Sequence, residues 1–307
     1  MMLAHVDLDR RLATLISVPR DSWVAIPGHG FAKINAAYAF GGAALAGRAV
    51  GTLLGTHVDA TIAVDPAGAK QIVDAIGGLN VNVERDMDYD DNYGNLHIHL
   101  KHGEHYLNGG QVLEYIRFRH DAESDWGRMR RQQQIIHEIE REVGEPQNWP
   151  KLAHLITRAR KDVKTSLTDA QMEVLVELYR GVPAENVRTL TVPGRAAFVG
   201  DVSVVIVDDW WAKMIGQVVC SPNDPPPGVV LVANATGVPS VSTISVSALR
   251  GGGWDVRSAV DEPAKVRSAI VGDAVTAQRL ALTFTDFDRR PGRQTVLEFG
   301  TDVQPKI

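Results

Sequence analysis

Leu12-Ala13-Thr14-Leu15-Ile16-Ser17-Val18 runs directly into Pro19-Arg20-Asp21. The uncharged run reads as an extended, buried strand, and Pro19 halts it because a prolyl residue has no N–H to give to a ladder. The strand therefore ends on an Arg–Asp pair, and strand ends are common places for reactive groups in α/β folds. By itself the pair is better read as a structural ion pair. Upstream, Leu3 to Val6 is a second extended run, and the turn-like Asp7-Leu8-Asp9-Arg10 between the two predicts a hairpin.

Downstream, a Gly- and Pro-rich loop (Ile26-Pro27-Gly28-His29-Gly30) precedes helical spacing from Asn35 to Leu54, with Gly55 where a C-cap belongs. Thr61 to Val64 reads as a strand, Ala67 to Ile76 as a helix ended by Gly77-Gly78, and Val81 to Val83 as a strand. This alternation predicts an α/β sandwich around one sheet. A loop, Asp86 to Gly94, leads to the alternating strand Leu96 to Leu100. Asn108 to Glu114 and Gly127 to Val143 read as helices, with an extended basic segment, Tyr115 to His120, between them. Leu152 to Tyr179 holds two further amphipathic helices, and Val187 to Val192 and Val204 to Val207 are late strands.

Ser221 to Gly228 contains three consecutive prolines and reads as a linker. Beyond it, Val229 to Ala233, Trp254 to Val260 and Thr295 to Phe299 are strands, with helices over Val241 to Leu249 and Val275 to Leu282 and a turn at Gly251-Gly252-Gly253. The expected division is a domain over 1–220 with its core motifs in 1–145, a linker over 221–228, and a small α/β domain over 229–307.

Apolar residues make up 44% and charged residues 22%, a globular mixture long enough for about two domains. The net charge of −5 excludes nucleic-acid binding by bulk attraction, so a polyanion site has to be a local basic cluster. The single cysteine, Cys220, allows no intramolecular disulfide. No signal-peptide pattern opens the chain, and Ala36 to Gly55, interrupted by Arg48 and glycines, is too polar to span a bilayer, so the chain as given reads as soluble.

The basic cluster lies between residues 117 and 132. Arg117 and Arg119 alternate along the segment read as extended, which sends both side chains from one face. Arg128 and Arg131, at i and i+3, share a helical face in a first turn that also carries Arg130 and Gln132. Free N–H groups and the helix dipole favour an anion there. Four guanidiniums meeting a helix N-terminus suit a pyrophosphate, since Arg binds phosphate oxygens bidentately and stays charged. A solvated basic helix pairing with Glu138, Glu140 and Glu142 accounts for the same pattern. Asp125 is readable as a helix cap.

Other motifs fail on inspection. Asp86-Met87-Asp88-Tyr89-Asp90 begins like a calcium loop, but Asp91 stands at the sixth position and His97 at the twelfth. His97, His99, His102 and His105 have no cysteine nearby, and His97 and His99 fall opposite Ile98 as surface strand residues. Gly28-His29-Gly30 lacks the Lys and Ser/Thr of a P-loop, no G-x-S-x-G elbow is present, and Asn234-Ala235-Thr236 is a sequon of a kind that arises by chance.

Six segments taken together carry a resemblance. They are Ser17-Val18-Pro19-Arg20-Asp21; Lys33-Ile34-Asn35-Ala36-Ala37-Tyr38 with Gly41-Gly42; Ile72 to Val81; Leu107-Asn108-Gly109; Tyr115-Ile116-Arg117-Phe118-Arg119; and Asp125 to Gln132. Their order and spacing resemble the LytR–CpsA–Psr family of cell-wall glycopolymer ligases over residues 1 to about 145, more weakly to about 215. Residues 229–307 are similar, more loosely, to a small C-terminal domain found after the catalytic domain in some members, with Ala235 where a Gly is usual.

The resemblance implies a three-layer α/β sandwich with a central mixed sheet flanked by helices. It implies transfer of a phosphate-linked glycan from a polyprenyl pyrophosphate carrier to a muramic acid hydroxyl of peptidoglycan, at the extracytoplasmic face of the cell membrane. Carried over by motif, Arg20, Arg117, Arg119, Arg128 and Arg131 are pyrophosphate ligands and Gln132 a polar neighbour. Asp21 fixes Mg²⁺ (or Mn²⁺) or the arginine array, and Asp125 orders the second Arg cluster. Positioning and charge neutralisation carry most of phosphoryl transfer, so such a set suffices. The partners implied are the lipid-linked glycan, peptidoglycan and the membrane, with no nucleic acid. Two departures stand out: the family's Asp-Thr pair, cytoplasmic tail and membrane helix do not precede Met1, and Phe40 stands where some members place Arg. A chain clipped at its start is the favoured account, a chain unable to hold Mg²⁺ the other. A lipid-linked-glycan binding protein without transfer, and less so a transcriptional regulator, are the competing readings.

Overall fold

The apolar run becomes β2 (Leu12–Ser17), paired antiparallel with β1 (Met2–Asp7) and parallel with Val187–Thr191 on its other edge. Leu12 through Ile16 are all buried, the continuous pattern of a strand covered on both faces. The computed structural model describes residues 1–64, 66–92, 96–118, 131, 134–135, 138–139, 141–142, 145–148, 151, 163–220, 229–236, 238, 240–261, 263, 265, 267–272, 284, 287–291, 295–299 and 301–303.

The further elements, in chain order, are β3 (Trp23–Ile26), β4 (Gly30–Lys33), α1 (Ala36–Leu54), β5 (Ile62–Val64), α2 (Pro66–Ile76), β6 (Leu79–Val83), β7 (Met87–Asp91), β8 (Leu96–Leu100), β9 (Gly103–Leu107) and α3 (Gly109–Arg117). They continue with β10 (Val163–Thr165), α4 (Asp169–Gly181), β11 (Val187–Thr191), β12 (Gly194–Val199), β13 (Val202–Val207), α5 (Asp209–Val219), β14 (Val230–Asn234) and α6 (Ser240–Gly251). The last strands are β15 (Val256–Asp261), β16 (Ala269–Gly272), β17 (Asp288–Pro291) and β18 (Thr295–Phe299).

The chain divides into two units, one of Met1–Asp59 with Asn186–Ile307, the other the inserted Ala60–Glu185. In unit 1 the ladders are β1-β2-β11, β3-β4, β12-β13 and the five-stranded β15-β14-β18-β16-β17; in unit 2 they are β10-β5, β6-β9 and β7-β8. The fold is mixed α/β as expected, and among the described residues its strands form these ladders. Each unit has its own core. Val73, Leu79, Val81, Met87, Ile98 and Tyr115 are central to that of unit 2.

The core of unit 1 joins Ile16, Leu54, Trp211 and Val218 to Val232, Leu249, Leu297 and Phe299. The C-terminal module therefore shares a core with the N-terminal strands, and the unit boundaries fall at 59/60 and 185/186; the Pro-rich 221–228 lies outside the described residues. Thr14 Oγ1 donates to Gly251 O over 2.6 Å in the interior, and Trp211 Nε1 donates to Val303 O over 2.9 Å. A Cβ at Gly252 would collide with the Val218 carbonyl, so α6 and α5 close to a distance only glycine permits.

Three local readings are corrected. Residues 23–33 form the β3–β4 hairpin, and of the loop expected at Ile26 to Gly30 only Pro27–His29 is its turn. Asp86 to Gly94, also read as a loop, contains β7, whose Asp88 and Asp90 face His99 and His97 across the ladder at 2.6 Å each. Tyr115 to Arg117, read as extended, is the last turn of α3. The Asn108–Gln111 capping box starts that helix, and burial of Val112 and Tyr115 at i, i+3 continues it until Phe118 leaves helical geometry (φ −57°, ψ 127°). Arg117 and Arg119 are therefore not two alternating positions of a strand. The helix expected over Val275 to Leu282 lies outside the described residues, as do most residues of that over Gly127 to Val143.

Candidate functional site: the turn after the second strand

Pro19 ends β2, and the chain reverses at once. Ser22, fully buried, donates its N–H to Pro19 O (3.0 Å) and its hydroxyl to the same oxygen (2.7 Å). That closes a tight turn with Arg20 and Asp21 at its apex. Three other backbone groups pin it: Asn35 N–H donates to Arg20 O (3.2 Å), Ile34 N–H to Ser22 O (2.8 Å) and Val205 N–H to Asp21 O (2.9 Å). A turn satisfied from α1's entrance and from β13 has little freedom to move its side chains about.

Arg20 Nε is buried and has no hydrogen-bond partner among the described residues. A desolvated cationic donor without an acceptor is costly, on the order of 1–3 kcal/mol, and such orphans mark places that expect an acceptor from outside. Beside it, the Asp21 carboxylate lies 3.0 Å from Lys33 Nζ, both side chains about 30% exposed (31% and 29%). The register of β3 with β4 sets Lys33 opposite Trp23, just past the turn. In the sequence Lys33 stands only within a motif; its place at the site depends on the register of the β3–β4 hairpin.

Of the other expected ligands, Arg117 and Arg131 belong to unit 2. Arg117 is exposed in the last turn of α3, where a cation also suits the carbonyl end of the helix. Arg131, expected to present its guanidinium to phosphate, is instead fully buried. Nη2 donates to Phe118 O (2.6 Å), Nη1 meets Glu84 Oε1 (3.3 Å), and the guanidinium stands 5.4 Å over the Phe118 ring. Its work is to fix the end of α3, directly before Arg119. Arg119, Asp125, Arg128 and Gln132 lie outside the described residues.

Other motif residues are framework. Asp74 Oδ1 accepts from Gly109 N–H (2.8 Å), and a Cβ at Gly109 would run into the Lys70 carbonyl, which explains an Asp and a Gly at those positions. Asn234 of the sequon is 3% exposed, accepting from Thr236 N–H and hydroxyl and donating to Val238 O. It is a turn-former, closed to a glycan. Among the described residues no group of three or more His, Cys, Asp and Glu is arranged to hold a metal by itself.

The strand end of this α/β protein thus holds a buried guanidinium nitrogen without an acceptor among the described residues, with a carboxylate beside it. The LytR_cpsA_psr family profile matches residues 1–216. The chain belongs to the LytR–CpsA–Psr family. It is 36% identical over 196 residues to the regulatory protein MsrR of Staphylococcus aureus (strain COL), covering 63% of this chain and 58% of the relative. It is 29% identical over 205 residues to the polyisoprenyl-teichoic acid–peptidoglycan teichoic acid transferase TagV of Bacillus subtilis (strain 168), covering 65% and 52%. The crystal structure of B. subtilis TagV aligns at a TM-score of 0.48 with 26% identity, over 70% of this chain and 86% of that one. The chain thus spans somewhat over half the length of these curated relatives.

Proposed function

We propose that this chain is a phosphotransferase that moves a phosphate-linked glycan from a polyprenyl pyrophosphate carrier to peptidoglycan. The orphaned Arg20 Nε beside the Asp21–Lys33 pair carries the reading. The acceptor hydroxyl oxygen bonds to the glycan-bearing phosphorus, the bond to the bridging oxygen breaks, polyprenyl phosphate leaves, and the hydroxyl proton goes to solvent. Arg20 donates to a phosphate oxygen, and Lys33 exchanges Asp21 for a second one. Arg117, Arg119 and Arg128 supply further guanidiniums, with Gln132 as a polar contact and Asp125 ordering the 128–132 segment. Arg131 is a positioning residue. The partners are the lipid-linked glycan, its membrane and peptidoglycan, with no role for nucleic acid, and the place of action is the extracytoplasmic face of the cell membrane. No helix among the described residues is long and apolar enough to cross a membrane.

The Asp21 carboxylate suits Mg²⁺ (or Mn²⁺), which takes one or two protein carboxylates and completes its shell with phosphate oxygens and water. When bound, such an ion neutralises pyrophosphate charge. Asp21, once freed from Lys33, would hold it, with its carboxylate position fixed by the turn.

The test incubates the chain with a detergent-dispersed polyprenyl pyrophosphate-linked saccharide, Mg²⁺ and peptidoglycan fragments. It scores released polyprenyl phosphate and glycan-bearing muropeptide. We expect turnover, with Arg20→Ala reducing it about 100-fold. Binding without release would establish a holding protein, and turnover unchanged in Arg20→Ala would overturn the site.

A further inference from the structure

Two exposed segments of unit 1 carry unusual aromatic surface. Every residue from Pro27 to Phe31 at the β3–β4 turn is exposed, and so are Tyr38, Ala39, Phe40 and Gly41 at the start of α1. His29 and Phe40 stack with centroids 4.8 Å apart and planes 16° from parallel, which joins the segments into one tip. Phe31 is 67% exposed and Phe40 50%. A buried aromatic side chain is a large apolar contribution, so two left in water within one small tip form a patch of the kind that marks a contact surface. Val24 and Ile26 of β3 point inward and Ala25 outward, so on the paired β4 Phe31 and Lys33 leave the solvent face one strand step apart. Behind Phe40, Gly42 (φ 63°, ψ −161°) takes a conformation closed to side chains and breaks α1, setting the aromatic turn off from the rest of the helix.

Charge identifies the occupant. No Asp or Glu stands between Asp21 and Asp59, in a chain with 37 acidic residues in 307, and the fixed charges in that stretch are Lys33 and Arg48. An aromatic tip without acidic residues complements the headgroup layer of an anionic bilayer, where rings settle at the interface and Lys33, at the base of the hairpin, can exchange its 3.0 Å pair with Asp21 for a lipid phosphate. We propose that the His29–Phe31 and Tyr38–Phe40 turns form a peripheral docking surface for anionic phospholipid bilayers. Docking there sets the Arg20–Lys33 turn close to headgroup level, which gives the surface its use under the transferase reading. Lipid binding itself does not need that reading.

The experiment floats the 307-residue chain with large unilamellar vesicles of phosphatidylglycerol and phosphatidylcholine, free of polyprenyl lipid. The Phe31→Ser/Phe40→Ser double variant, checked for fold by circular dichroism, should partition about tenfold more weakly or worse. Phe198→Ser, removing an aromatic 74% exposed on β12, should partition as the parent does. Added salt should weaken binding. No vesicle binding by the parent, an equal loss in Phe198→Ser, or self-association relieved by the double variant with no lipid bound would each overturn the proposal. The detergent assay above needs no bilayer, so either reading can fail alone.

Discussion

The turn after β2 and the interior of unit 2 each draw a guanidinium inward, to opposite ends. Arg131 is enclosed on all sides and occupied by Glu84, the Phe118 carbonyl and the Phe118 ring. Arg20 is only half-buried, yet its Nε is sealed from water and meets no acceptor among the described residues. In the first, Nη1 and Nη2 are both engaged and their energy goes into structure, although Nε is, like that of Arg20, buried without a hydrogen-bond partner among the described residues. The second is incomplete, and an incoming phosphate oxygen would finish it. A buried Nε alone therefore does not separate a strut from a ligand; the engagement of the terminal nitrogens does.

Deleting each side chain separates the two most sharply. Arg131→Ala should lower the unfolding free energy in urea by about 3 kcal/mol, since it strands Glu84 and the Phe118 carbonyl and leaves a cavity. Arg20→Ala should change it by less than about 1 kcal/mol, because an unpaired buried donor is removed with the side chain. Equal losses would erase the contrast. A double-mutant cycle on Asp21→Ala and Lys33→Ala should give a coupling of about 0.5 kcal/mol, the size for a part-exposed pair. A coupling above about 2 kcal/mol would make the pair structural and leave Lys33 unable to change partners.

The smallest effect belongs to the surface of unit 2. A hydrogen bond to Asp88 raises the pKa of His99, with Asp90 adding to the pull. The folded value lies above the ordinary 6.5, so the pair's contribution is fully present below that pH and is lost as pH rises through the folded value. Thermal midpoints for the parent and Asp88→Asn, followed from pH 5 to 8, should converge as the pH rises. A constant gap would show that the contact is not linked to the proton.

Elements whose signals are local were readable in the chain. The β1–β2 hairpin, α1 with Gly55 in the left-handed C-cap conformation, and β18 at Thr295–Phe299 fall where the spacing puts them. Tyr115-Ile116-Arg117 misled because β-favouring residues in a row look extended, while the deciding signal, the box at Asn108, sits upstream. The site split the same way. Arg20 and Asp21 were legible because Pro19 ends a strand just before them. Lys33 reaches Asp21 through the register of a short hairpin, and Arg131 is claimed by Glu84, 47 positions away, a pairing that no local pattern encodes.

The hydrogen bond from Thr14 to the Gly251 carbonyl spans 237 positions, and β2 finds its parallel partner only at Val187–Thr191. As the chain folds, its second strand must therefore wait, apolar and uncovered on one edge, until Val187–Thr191 and Gly251 arrive. The inserted 60–185 segment has its own core and can close first. Maturation thus runs from the middle outward. The N-terminal strands stay exposed to chaperones or misassociation for longest, as expected where contacts distant in sequence must form last.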